Sequence, residues 1–358
     1  MKKLLFLLIV LAALGVSGAA QRFYTDWDWR HLAKAPDTFA VDTAWGPDVL
    51  EGYESRFVPH ARAFDGPVRS TIIRKRVPGG SRRAFLYVHG FNDYFFQSLM
   101  GELMVDSGIN FYAVDLRRYG RSRLPWQYPF NVRNQKEYFE DIDSALAQIR
   151  RDGNTDITLG GHSTGGLTVL LYAAERGSEI GVQRVVTNSP FLEWNFNAFL
   201  RKVAIPVVSF GSHVFQNARI KQARCDGYAF SLLRRYHGQW DYNTQWKMVY
   251  SPPVKWSWVR SINGAHLAVR KKGARIAVPT LVMHSSRKID GCNWTPDFQT
   301  GDCVLNPFDI RKIAEAIAER QPLVHTCVID SGLHDLILSE PRPRQAAYDS
   351  IFSVINRL

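Results

Sequence analysis

Gly161-His162-Ser163-Thr164-Gly165 sets a serine among small residues, directly after the strand-like Ile157-Thr158-Leu159 and before a helix-like run that starts at Gly166. A sharp strand-to-helix turn lifts a serine oxygen above the carboxyl edge of a sheet, and glycines beside it keep the backbone from clashing. Such a serine becomes a nucleophile when a base takes its proton and N–H donors receive the developing oxyanion. His89-Gly90-Phe91-Asn92 follows the strand-like Ala84-Phe85-Leu86-Tyr87-Val88, so the backbone N–H groups of Phe91 and Thr164 are the expected oxyanion donors. His89 precedes the serine and ends a strand, which gives it a structural role. In this architecture the order is serine, acid, histidine, which leaves His325 and His334 as bases. His325 lies inside the apolar run 323–329, whereas His334 follows it in a loop able to reach Ser163. Asp290, Asp297, Asp302 and Asp309 precede His334 as candidate acids. Asp309 belongs to a helix first turn. Asp302 is favoured by the apolar Val304 and Leu305 that can anchor it, with Asp290 as the alternative.

The elements that must position these residues alternate along the chain. Apolar or β-branched runs at 70–77, 84–89, 110–115, 156–160, 183–188, 280–284 and 323–329 read as strands. Helix patterns fall at 97–107, 135–151, 164–176, 307–320 and 343–358, with Asn306 and Pro307 as N-cap and first-turn proline. This alternation predicts an α/β fold, a mostly parallel, doubly wound sheet with helices on both faces. Residues 191–275 break the rhythm and are too long for a structureless loop.

The chain has 358 residues, 46% hydrophobic and 22% charged, a composition that excludes a disordered, collagenous or multi-span membrane chain. Its net charge of +12 is local: residues 196–275 hold 14 Lys and Arg against Asp226 and Asp241, and the remainder is neutral. Lys2 and Lys3, the apolar stretch 4–16 and Ser17-Gly18-Ala19-Ala20 have the form of a signal peptide, so export with cleavage near Ala20 is expected. Residues 21–54 then form an N-terminal extension. In an exported protein the basic segment is expected to meet an anionic membrane surface rather than nucleic acid. The histidines are scattered and no Cys-x-x-Cys occurs, so neither a metal site nor a cofactor is expected.

Asp115-Leu116-Arg117-Arg118-Tyr119-Gly120-Arg121-Ser122, His89-Gly90-Phe91-Asn92, the serine pentapeptide, Gly301-Asp302-Cys303-Val304-Leu305 and Gly332-Leu333-His334-Asp335 together resemble the α/β-hydrolase superfamily. The likeness is to its lysophospholipase and monoacylglycerol-lipase group, also described as serine aminopeptidase-like, and covers about 55–358. It implies Ser163 as nucleophile, Asp302 as acid and His334 as base, with Asp115 and Arg117 structural. The stretch 285–301 is longer than that group's usual connection, which keeps Asp290 in play. The core is expected at 55–190 and 276–358, with 191–275 as a lid.

That segment holds Trp194, Trp246 and Trp258, the expected substrate-binding aromatics for an acyl-chain pocket. An aminopeptidase would need acids to hold a substrate ammonium, and the basic part of the segment has only two. An ester of monoacylglycerol or lysophospholipid type is therefore expected, ahead of an amide or a non-catalytic ligand-binding role. A Cys292–Cys303 disulfide would fix the acid's loop, with Cys225 and Cys327 unassigned.

Overall fold

Alternation along each central strand divides its side chains between two apolar layers. The computed structural model describes residues 31–356; the expected signal peptide lies outside them. Its strands are β1 (Gly46–Pro47), β2 (Glu54–Ala63), β3 (Gly66–Lys75), β4 (Arg83–Val88), β5 (Asn110–Asp115), β6 (Asp156–His162), β7 (Arg184–Asn188), β8 (Arg219–Ile220), β9 (Val254–Lys255), β10 (Thr280–Ser285) and β11 (Val324–Ile329). The helices are α1 (Ser98–Asp106), α2 (Phe139–Arg151), α3 (Thr164–Arg176), α4 (Ile205–Gly211), α5 (Gly227–Leu232), α6 (Trp256–Lys272), α7 (Pro307–Ala318) and α8 (Pro341–Asn356). Leu86, Val88, Tyr112 and Val114 pack into one layer with α2, α3, α6 and α7. Phe85, Tyr87, Phe111 and Ala113 pack into the other with α1 and α8. Burial on both faces is what a central parallel strand requires.

The sheet order is β1-β2-β3-β5-β4-β6-β7-β10-β11, antiparallel from β1 to β5 and parallel from β5 to β11. The chain leaves β4 toward β5 on one side and later places β6 on the other. Open α/β sheets bind ligands at such a reversal, beyond the carboxyl ends of the strands. The pairs Tyr87–Gly160 and Val88–Gly161 set the turn after β4 beside the turn after β6.

Two features differ from the sequence expectation. β2 was not predicted: Arg56, His60 and Arg62 interrupt its apolar pattern because the strand is half-exposed and antiparallel. The interval 191–275 is not all peripheral either. α6 buries Trp258, Val259, Ile262, Ala265 and Val269 in the same layer as α3, so its residues 256–272 pack on the core helix α3. The excursion proper runs from Phe191 to Lys255 and contains α4, α5 and the β8–β9 pair. Among the described residues no helix is long and apolar enough to cross a membrane.

Candidate active site

Ser163 occupies the turn between β6 and α3 with φ 54° and ψ −117°, a left-handed backbone that a side chain adopts only when its surroundings impose it. Its N–H donates to Asn188 O at 3.0 Å, and its carbonyl accepts from Leu167 N and Phe191 N. Gly165 has to be glycine, because a Cβ there would stand 2.2 Å from the His89 carbonyl oxygen. That close approach brings the turn after β4 against the serine.

His334 lies in the turn between β11 and α8. Its Nε2 is 3.0 Å from Ser163 Oγ and its Nδ1 is 2.9 Å from Asp302 Oδ2. Asp302 is fully buried, and its Oδ1 accepts from the N–H groups of Val304 and Leu305, both at 2.8 Å. A carboxylate has only lone pairs to offer, so His334 Nδ1 carries the proton and Nε2 is left to accept the serine proton. The Asp302 backbone pairs with 287–289, which ties the acid's loop to the end of β10. Asp290 faces solvent, with 81% of its side chain exposed and Lys288 as its partner. Asp297 pairs with Arg287, and Asp309 with Asn306 and Arg201. His325 is an exposed residue of β11.

The neighbours of the histidine are fixed as well. Asp335 accepts from the Asn188 amide at 2.6 Å, and Asn188 in turn accepts from Leu336 N, which pins the loop to the end of β7. Burial holds the His162 imidazole below its usual pKa, so it is neutral as it packs beside His334. His89 accepts from Leu116 N at Nε2 and donates from Nδ1 to Gly90 O, a bracket between two strand ends. Asp115 likewise works as a brace, accepting from Phe95 N and from Arg121, while Arg117 is held by Asp141 and Glu140.

Phe91 and Thr164 both border the cavity above Ser163. Gly90 lies so close that a Cβ there would be 3.1 Å from Ser163 Cβ. Thr164 opens α3, where the first N–H groups have no partner within the helix. The cavity measures about 600 Å³ and is walled by Phe91, Phe191, Trp194, Tyr228, Met248 and Trp258 among others. Trp246 does not line it. Its ring packs edge-on against Tyr94 beside the Arg121 guanidinium, and the chain instead turns Lys247 and Met248 inward.

The disulfide also differs from expectation. Cys225 pairs with Cys292, and Cys303 and Cys327 are free thiols. Cys225 comes from the excursion, so the bridge ties that segment to the loop after β10 rather than closing the short loop 292–303. Burial pushes the Cys303 thiol pKa up, which leaves it protonated and unreactive. Sequence reasoning also passed over Lys247, Asp93 and Tyr228, whose partners are far apart in the chain. The Tyr228 hydroxyl and the Trp194 indole N–H are enclosed with no hydrogen-bond partner among the described residues, although both residues border the cavity.

A doubly wound sheet whose three carboxyl-end loops deliver serine, aspartate and histidine defines an α/β-hydrolase. The profile of the family described as serine aminopeptidase, S33, matches residues 79–288, over half of the chain, and the chain belongs to that family. Among solved structures it is similar to a monoacylglycerol lipase from Paleococcus ferrophilus, with 17% identity, TM-score 0.58, and 79% of this chain and 97% of that one covered. A soluble variant of monoglyceride lipase from Saccharomyces cerevisiae, in complex with a substrate analog, gives 14% identity, TM-score 0.62 and coverage of 90% and 98%. A thermostable carboxyl esterase from Bacillus coagulans gives 14% identity, TM-score 0.57 and coverage of 84% and 98%. A search of curated proteins gave no match.

Proposed function

We propose that this protein is an exported serine hydrolase that cleaves carboxylic esters of monoacylglycerol or lysophospholipid type through an acyl-enzyme on Ser163. The hydrogen-bonded line Asp302–His334–Ser163, opening into an aromatic and aliphatic cavity, carries this reading. Ser163 Oγ attacks the ester carbonyl while its proton passes to His334 Nε2. Asp302 stabilises the imidazolium, and the N–H groups of Phe91 and Thr164 receive the oxyanion. Collapse expels the alcohol, which takes the proton from His334. Water then enters, gives a proton to the same nitrogen and releases the carboxylic acid as the serine recovers its hydrogen.

The cavity wall favours an ester over an amino-acid amide. No carboxylate borders it among the described residues, while Lys221 and Lys247 do, so a substrate ammonium would meet no counter-charge. The enclosed donors of Tyr228 and Trp194 suit an oxygen-rich headgroup. The excursion serves as a lid over the acyl chain. Its exposed Phe199, Phe210, Val214 and Phe215, with Lys202 nearby, suit contact with an anionic lipid surface.

Fluorophosphonate labelling of the wild type beside Ser163→Ala and His334→Ala, read by intact mass, tests the reading. One adduct on the wild type and none on either variant is the expected result, and the same masses report whether residues 1–20 have been removed. A folded wild type that takes no label, or amino-acid amides turning over faster than acyl esters, would refute it.

A further inference from the structure

The turn after β4 is bonded to the excursion through the two residues that follow Phe91, Asn92 and Asp93. Asn92 has φ 49°, a left-handed conformation that asparagine tolerates better than most residues, and its side-chain amide copies a strand pairing. Its Oδ1 accepts from Met248 N at 2.8 Å, while its Nδ2 donates to Met248 O at 2.7 Å and to Ser251 Oγ at 3.0 Å. Asp93 is the second tether. One of its oxygens accepts from Gly90 N at 3.1 Å, and the other accepts from Lys247 Nζ at 2.8 Å. Both side chains of that ion pair are buried, and the rings of Phe96, Tyr228 and Tyr242 surround the ammonium at 5.5–5.9 Å. Burial opposes ionisation of Asp93, yet the Lys247 ammonium, together with the nearby His162 and His89, holds the carboxyl below its usual pKa. Phe91 itself is wedged between the rings of Trp258 and Phe130 at 4.7 and 5.3 Å.

A buried ion pair is a poor way to gain stability, because two charges must be stripped of water where apolar side chains would pack at no such cost. What it supplies is a fixed direction. Lys247 holds Asp93, Asp93 holds Gly90 N, and Asn92 is locked to Met248, so the peptide carrying the Phe91 N–H has a clamped residue on each side. We propose that residues 247–251 of the excursion act as the mould for the oxyanion hole, with Lys247 and Asn92 as positioning residues for the Phe91 N–H. This inference rests on the serine-hydrolase reading above. It makes the excursion a working part of transition-state binding as well as a cover. Lys247 borders the cavity, so the rival role is direct recognition of an anionic headgroup, which would act on substrate binding instead.

The test compares the wild type with Lys247→Arg, the double variant Asp93→Asn/Lys247→Met, and Asn92→Gly. The double variant leaves no unpaired buried charge, and glycine keeps the left-handed turn while removing the tether. Steady-state constants on a medium-chain p-nitrophenyl ester are measured with the Ki of an alkyl trifluoromethyl ketone, whose serine adduct mimics the oxyanion. The Kd of a non-hydrolysable monoalkyl glyceryl ether reports ground-state binding. In the double variant and in Asn92→Gly, kcat should fall roughly 10- to 100-fold and the ketone's Ki should rise in proportion. KM and the ether Kd should stay within about threefold, and Lys247→Arg should keep most of the wild-type kcat. A folded variant with wild-type kcat, or a loss confined to KM, overturns the proposal. If the double variant does not fold, Asn92→Gly decides alone. A wild type with no turnover abolished by Ser163→Ala would instead strike at the serine-hydrolase reading, so the two failures are separable.

Discussion

Two aspartates compete for one imidazole within a single loop, and their surroundings separate them. Asp302 is walled in, with two backbone N–H groups on one oxygen and His334 on the other, whereas Asp290 extends into solvent beside Lys288. Asp302→Asn keeps the shape but presents an amide that can donate to Nδ1, which favours the wrong tautomer. The expected result is a loss in kcat of roughly 10³- to 10⁴-fold with KM little changed, while Asp290→Asn stays within about twofold of the wild type. Equal losses in both variants would remove Asp302 from the acid's role. Chain order and local pattern were enough to bring Ser163 and His334 forward from sequence, since each follows a recognisable strand. The apolar Val304 and Leu305 already favour Asp302 in the sequence, but the burial that separates it from Asp290 is not something a loop sequence displays. Trp246 shows the same limit: in a segment without period, nothing in the sequence says which neighbour faces the cavity.

At the scale of elements, the central parallel strands were readable because they are buried on both faces, and α3 because it follows a strand–glycine–serine turn. β2 escaped because half of it faces water, and the Cys225–Cys292 bridge because its partners are 67 residues apart. The sequence groups α6 with the lid because 191–275 break the strand–helix alternation, yet its buried face belongs to the main core. The helix α4 presents a different puzzle. Ile205 and Val208 point inward, while Phe210 is 82% exposed and Val214, just beyond the helix, 77%. A short element that is apolar on two sides has one face to spare. Phosphatidylglycerol vesicles should therefore pellet the wild type, and Phe210→Ser/Val214→Ser should reduce binding by about tenfold, with phosphatidylcholine vesicles binding weakly throughout. Equal sedimentation of the variant would assign the face another role.

Across the whole molecule, the local excess of positive charge is partly internal fastening. Arg201, Lys247, Arg270 and Lys272 pair with Asp309, Asp93, Glu193 and Glu175, all outside 196–275. Stability should also carry a pH signature from histidines buried in neutral form. Burial lowers His162 and His284, and takes His266 to about 3. Below pH 6.5 the unfolded chain binds protons at these positions and the folded chain does not. Stability is therefore full above that pH and falls as pH drops toward the folded values. His266 alone should cost about 2 kcal/mol between pH 6.5 and 5, measured by urea unfolding, and His266→Gln should flatten that slope. A slope unchanged by the substitution would mean that His266 is already charged in the fold.

The position of His334 beyond the last strand has a consequence for biosynthesis. Ser163 is made 171 residues earlier, and its loop can be shaped by β4, β6 and β7 while the remainder is still being translated. The proton acceptor arrives only when β11 has docked on β10. A nascent or truncated chain therefore carries Ser163 without the imidazole beside it, and the line from Asp302 through His334 to Ser163 closes only when the final segment has folded into place.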